Sequence, residues 1–307
     1  MLTKPTIILV TNCTATKKIT AGEPILLRNW SGSVSRRFHS WRLAIDKANS
    51  VITARDCYGG DSWSQSVAAL NVDPDKNQLW VLSAGLGLIT ANHKIPNYSA
   101  TFVSNDIDSV ASDKLGKSEW WNMLVGWRRE SQGIGCITDL AVANPQSVLI
   151  VAVSSSYFSI IENDLVSARA ALISPDNLLV ISAGTRRLTA LGKSLLPIDA
   201  RFENIVGGAR ATLNARMLRH IIEKYKSQVI DASRISDYLS SLAENLSDLR
   251  TYERIALNDD QIGAFIRKQL ELIPKSSASA FLRLLRDSGA SCEQKRFQRI
   301  YKNIHQI

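Results

Sequence analysis

Four short apolar runs, Thr6 to Thr11, Gln78 to Ser83, Ser147 to Val153 and Leu178 to Ser182, constrain this chain more than any other feature. Each is rich in β-branched residues, is of strand length, and is followed by turn or polar residues, the pattern of strands buried on both faces. Between them lie stretches with helical spacing: Phe38, Trp41, Leu43, Ala44 and Ala48 make one apolar face, and Trp63 to Leu70 make another. Strands separated by helix-bearing connections form a parallel sheet with helices on both faces. The expected fold is therefore α/β, a four-stranded parallel sheet whose ligands bind outside the carboxyl ends of the strands. None of the runs approaches the roughly 20 apolar residues of a membrane span. The opening Met-Leu-Thr-Lys-Pro leads straight into the first run without a signal-peptide pattern, so a cytoplasmic protein away from the membrane is expected.

The chain also echoes itself. Leu79-Trp-Val-Leu-Ser-Ala-Gly85 is matched by Leu178-Leu-Val-Ile-Ser-Ala-Gly184, each followed by a Thr-Ala pair at Thr90 and Thr189 and then by Ser99-Ala-Thr-Phe102 or Asp199-Ala-Arg-Phe202. Duplication and convergent strand-exit chemistry explain this equally well. Both imply two equivalent loops on one sheet edge.

After Gly207-Gly208 the composition turns to helix formers, with Ala211 to Lys226 reading as one amphipathic helix. The expected organisation is an α/β body over 1–226, a helical connector over 227–257 and a C-terminal all-α module over 258–307. In that module Asn258 with Gln261 caps one helix, Ser277 starts a second that Gly289 stops, and Ser291 with Gln294 forms a capping box for the third. Helix, glycine turn, helix is the helix-turn-helix layout. The last helix carries Lys295, Arg296, Arg299 and Lys302 against Glu293, with Phe297, Ile300, Tyr301 and Ile304 as its inward stripe. A net charge of +9 suits a polyanionic partner. Those four cations are the expected DNA contacts, the alternative being a solvated basic face.

Chemistry is expected at the strand ends. After the first run comes Asn12-Cys13-Thr14-Ala15-Thr16-Lys17-Lys18, with one amide, hydroxyls and two ammonium groups and no Gly-rich phosphate loop. Asp56 is a possible base, although beside Arg55 and before Gly59-Gly60 it reads more readily as a cap. Asp199 and Arg201 share a face if that segment is extended. Trp120, Trp121 and Trp127 suit base stacking or, more commonly, packing. The cysteines, Cys13, Cys57, Cys136 and Cys292, and the four histidines show no metal-ligand spacing, so no metal or cofactor is expected.

Taken together, Val10-Thr-Asn-Cys-Thr-Ala-Thr-Lys17, Leu82-Ser-Ala-Gly-Leu-Gly-Leu-Ile89, Tyr98-Ser-Ala-Thr-Phe102, Leu196-Pro-Ile-Asp-Ala-Arg-Phe202 and Leu285-Arg-Asp-Ser-Gly-Ala-Ser-Cys-Glu-Gln-Lys-Arg-Phe297 resemble a bacterial family, part of which is similar to phage-defence DNA glycosylases that excise glucosylated hydroxymethylcytosine. Cys13-x-x-x-Lys17 also resembles the Cys-x-x-x-Lys motif of archaeosine synthase, whose core is similar to uracil-DNA glycosylase. The chain departs from that motif in having Asn12 for proline and Lys18-Ile19 for proline-tyrosine. The resemblance implies a uracil-DNA glycosylase-like core and double-stranded, modified phage DNA as partner. It also implies a base flipped into the strand-end pocket. Asn12 or Asp199 would position water, and Lys17 and Arg201 would stabilise negative charge. Cys13, Thr14, Thr16, Asp56, Tyr58, Ser83, Tyr98 and Ser182 are the expected substrate contacts, with Tyr58 and Tyr98 as walls. A base-modifying enzyme acting on deazaguanine-like bases and a non-catalytic DNA-binding regulator are the alternatives.

Overall fold

The computed structural model describes residues 6–185, 190–226, 228–247, 255–274 and 276–305, the side chains of Lys295 and His305 excepted. The chain separates into two compact units, 1–247 and 248–307, and each has a hydrophobic core of its own.

The first unit is built on a five-stranded sheet: β1 (Ile7–Asn12), β2 (Asn77–Ser83), β3 (Gly87–Thr90), β4 (Val148–Ala152) and β5 (Leu178–Ile181), in the order β3-β2-β1-β4-β5. β1, β2, β4 and β5 are parallel, with Leu9 opposite both Leu79 and Ile150. Successive residues of a strand point to opposite faces, and Ile8, Leu9 and Val10 have no solvent exposure at all. The sheet is therefore covered on both sides, and each of these side chains contributes roughly 1.5–3 kcal/mol by burial.

The fifth strand departs from the four-strand expectation. Ser83 ends β2, and its hydroxyl accepts the N–H groups of Gly85 and Leu86 at 3.1 and 3.0 Å. Gly87 at φ +75° then lets the chain return antiparallel as β3. The second copy of the echo does something else: after Ser182 the chain makes a parallel bridge from Leu195 to Val180. The two loops are thus not equivalent in path, and Thr189 lies outside the described residues.

Helices α1 (Val34–Lys47), α2 (Asp61–Asn71), α3 (Lys114–Gln132), α4 (Ile137–Ala143), α5 (Ser155–Ala171), α6 (Leu213–Lys224) and α7 (Ala232–Glu244) pack around the sheet. In α1 the buried stripe is Phe38, Trp41 and Ile45, spaced i, i+3, i+7, which leaves Leu43 at 48% exposure instead of on the apolar face. Trp120, Trp121 and Trp127 of α3 are buried. The indole N–H of Trp120 donates to the Ala84 carbonyl at 2.7 Å, and that of Trp41 donates to Gly85 at 2.7 Å. These rings secure the β2–β3 turn and are not open to a base. Ile235 and Leu239 of α7 lie in the first unit's core, so the expected connector is largely part of the body, and the boundary falls at Ser247–Asp248.

The second unit has short strands β6 (Ile255–Ala256) and β7 (Ala290–Ser291), paired in parallel, with α8 (Asp259–Leu272), α9 (Ala278–Asp287) and α10 (Gln294–His305). Asn258 and Gln261 form the expected capping box, Ser277 caps α9, and Gly289 at φ +85° follows α9. Ser291 does not cap α10: it pairs with Ala256 in β7, because the chain extends to complete this small sheet before Gln294 starts the helix. Among the described residues no helix is long and apolar enough to cross a membrane.

Gly135 lies between α3 and α4, where an added Cβ would come 2.2 Å from the Val125 carbonyl oxygen. Since backbone occupies that space, Gly135→Ala is expected to destabilise the protein by about 1–3 kcal/mol in urea denaturation. An unchanged midpoint would show that the α3–α4 junction is not tightly packed.

Candidate functional site

At the carboxyl ends of β1 and β4 lies a cavity of about 280 Å³, walled by the loop after β1, the Tyr98–Val103 segment with Asp106, and the start of α5. Its central side chain is Asn12. The Asn12 Oδ1 accepts the Ser154 N–H at 3.0 Å, and Nδ2 donates to the Cys13 carbonyl at 3.0 Å. One bond ties β1 to the residue that begins α5, so the amide is fixed between two neighbouring strand ends.

Beside it, the Cys13 thiol lies 3.3 Å from the Tyr157 hydroxyl, which accepts the Ala84 N–H at 3.0 Å. Lys17 Nζ donates to the Tyr98 carbonyl at 2.5 Å and sits 4.6 Å from the centroid of the Tyr98 ring. Burial lowers the Lys17 pKa from the usual lysine value, and nearby Cys13, Cys57 and Asp108 only partly offset this. The β1 loop is itself held by main-chain bonds, Lys18 N–H to Cys57 and Gly59 N–H to Thr16.

Tyr98 links the cavity to the core. Its hydroxyl is 2.5 Å from that of Tyr58 and 2.6 Å from the Ser83 hydroxyl. Ser83 already accepts two N–H groups, which uses both of its lone pairs, so its proton goes to Tyr98 and Tyr98 in turn donates to Tyr58. Gly85 is glycine for a steric reason, since a Cβ there would lie 2.6 Å from the Tyr98 ring.

The expected site residues therefore separate. Asn12, Cys13, Thr14, Lys17 and Tyr98 share the cavity. Thr16 is exposed outside it. Tyr58 and Ser83 are completely buried behind Tyr98, so they orient the wall and do not form it. Asp56 accepts from the Thr53 hydroxyl at 2.7 Å in an exposed helix cap. The Ser182 hydroxyl is 2.9 Å from that of Thr185, at the end of β5.

Asp199 and Arg201 do not face Asn12 across one pocket. Asp199 caps a short turn and pairs with the Arg201 guanidinium at 2.8 Å, and Arg201 also donates to the Ala243 carbonyl of α7 at 3.2 Å. They line a different cavity of about 520 Å³ with Thr185, Ser240 and Glu244. Asn214 bridges the neighbouring strand exits after β4 and β5: it donates to the Val153 carbonyl and accepts the Ala183 N–H, both at 2.8 Å.

Sequence reasoning missed Asp106, Ser154, Ser156 and Tyr157 in the cavity wall. Ser154 was legible, since it follows the third predicted strand as Asn12 follows the first. Asp106 carried no local signal; its place depends on the return of the Tyr98–Val110 segment.

In the second unit Arg296 and Arg299 are tied to Asp259 at 2.6 and 3.1 Å, so only part of their charge is open to another anion. Lys302 is exposed, as are Arg267, Lys268 and Arg283 on α8 and α9. The Lys295 side chain lies outside the described set. Among the described residues no group of three or more His, Cys, Asp or Glu is placed to hold a metal ion. No protein-family model, curated protein or solved structure matches the chain.

Burial holds the hydroxyls of Tyr58, Tyr98 and Tyr157 well above the ordinary tyrosine pKa. Tyrosines in the unfolded chain ionise near pH 10, so this stabilisation is intact below about pH 10 and declines above it, by up to roughly 1.4 kcal/mol per pH unit for each ring. Thermal melts across that range should show a steep alkaline loss, made shallower by Tyr98→Phe even though that variant melts lower at neutral pH. Equal slopes would remove Tyr98 from the titration.

Proposed function

We propose that the chain is a DNA glycosylase that receives a flipped modified base in the Asn12 cavity and leaves an abasic site, in defence against viral DNA. The observation that carries this reading is the Asn12 amide, held by the Ser154 N–H at the end of the central strand of an α/β sheet and beside the half-buried Lys17. A four-stranded parallel core between helices, with a polar side chain after its first strand, also suits the uracil-DNA glycosylase resemblance; β3 is an added edge.

The chemistry follows from the residues. The glycosidic bond breaks through an oxocarbenium-like sugar, so the site must orient a water and stabilise the departing base. Asn12 Oδ1 keeps one lone pair after accepting from Ser154 and uses it to align the water. Lys17 donates a proton to the base as negative charge develops there. At about 280 Å³ the cavity is near the lower end of ligand pockets, which run from about 300 to 1,000 Å³. It encloses a base, while a glucosyl substituent projects from its mouth. The helix-turn-helix-like second unit adds affinity for phosphate through its exposed cations.

Purified protein incubated with phage DNA carrying glucosylated cytosines should release the base and accumulate abasic sites. Asn12→Ala should lower turnover by about 10²–10³-fold without loss of DNA binding. No release from any modified DNA would sink the idea. Removing Lys302 should weaken binding uniformly across sequences and reduce the salt slope by about 1; an unchanged slope would take the tail out of the interface.

A second reading is favoured by Cys13 and Lys17 sharing the cavity: transfer or exchange of a group on a deazaguanine-like base. It calls for a base of altered mass on an intact sugar, which mass spectrometry of digested DNA distinguishes from release.

A further inference from the structure

Lys17 stands apart from the other cations of the cavity and its surroundings. Arg28, nearby through Asp108, is ion-paired with it, but among the described residues Lys17 has no carboxylate within ion-pair distance. Among the described residues its Nζ donates to the neutral Tyr98 carbonyl and lies over the Tyr98 ring. The carbonyl and the ring favour the ammonium form, but burial is the largest influence on this amine and lowers its pKa. A desolvated lysine amine is the usual nucleophile toward an aldehyde. Asp106 lines the same cavity. One of its oxygens accepts the Asp108 N–H at 2.9 Å, and it forms no ion pair among the described residues.

We infer that, once the base has left, Lys17 captures the abasic sugar as an imine and Asp106 removes its C2′ proton, breaking the DNA strand on the 3′ side. This rests on the glycosylase reading of the same cavity. In giving its proton to the departing base, Lys17 becomes the free amine that the next step requires. Its lone pair attacks C1′ of the ring-opened aldehyde; the aldehyde oxygen takes one proton from the amine and one from solvent and leaves as water, forming a protonated C1′=N bond. Asp106 accepts the C2′ proton. The C–H electron pair becomes the C2′=C3′ bond, and the C3′–O bond breaks with its electrons leaving on the 3′ phosphate. Water then hydrolyses the imine, restoring Lys17 and releasing an unsaturated aldehyde. Nothing is oxidised or reduced.

The test uses the full chain and a duplex holding one preformed abasic site, so that no base release is needed. Sodium borohydride should trap a covalent protein–DNA product, and peptide mapping of the native chain by mass spectrometry should find the adduct on Lys17. Lys17→Arg and Lys17→Met should each lower trapping by about 10²-fold or more, and Asp106→Asn should keep trapping while slowing strand cleavage by about 10²-fold. Absence of a trapped product, or an adduct mapped to another lysine, overturns the inference. Base release from modified DNA, measured on the same preparation, separates the two claims. Release without trapping overturns the imine step alone, whereas trapping on Lys17 supports it whether or not a modified base is released.

Discussion

The burial of β1 on both faces and along both edges is the constraint on which the body depends. With Ile8, Leu9 and Val10 excluded from solvent and β2 and β4 on either side, a one-residue slip would exchange the two side-chain sets and break both ladders. The strand can therefore leave the sheet at only one place, and the residue standing there is Asn12. The amide is thus positioned by a strand buried on both faces and paired along both edges, not by a loop. The Ser66 hydroxyl, donating to Thr11 at 3.2 Å one residue earlier, secures α2 to the same strand.

Around that fixed point the neighbouring strand ends are filled differently. Where β1 and β4 leave the sheet, the Ser154 N–H donates to the Asn12 Oδ1 beside the cavity. Between β4 and β5 the Asn214 side chain occupies the gap and uses both ends of its amide. Two asparagines thus bridge adjacent strand exits, one bordering an open pocket and the other closing a seam.

The four parallel strands were legible because each is a continuous β-branched run between polar stretches, a signal carried by local residues. The site was half legible for the same reason: Asn12, Cys13, Thr14 and Lys17 are consecutive or nearly so after a strand. What could not be read locally depends on partners far along the chain. Gly87 to Thr90 became a strand because the Ser83 hydroxyl and Gly87 turn the chain back. Tyr58 and Tyr98 look alike in sequence, yet one is core and the other wall, as Gly85 admits the Tyr98 ring where a methyl group would not fit. Asp199 and Arg201 were grouped on the premise of an extended segment; they pair instead across a short turn and line another cavity. In the second unit, cations counted as free were partly claimed by Asp259 from α8.

The hydroxyl series from Ser83 through Tyr98 to Tyr58 is polarised in one direction, since Ser83 is saturated as an acceptor by the β2–β3 turn. Proton hopping along such a wire requires every member to reverse, and reversal here would break the turn itself. Tyr98 therefore supports the amine above it without serving as a conduit, and the interior side of the pocket is a proton dead end. In the proposed reaction, the protons that Lys17 exchanges would then pass through the mouth and not through Tyr98. A substrate seated there would then isolate the proton inventory of the site until it departs.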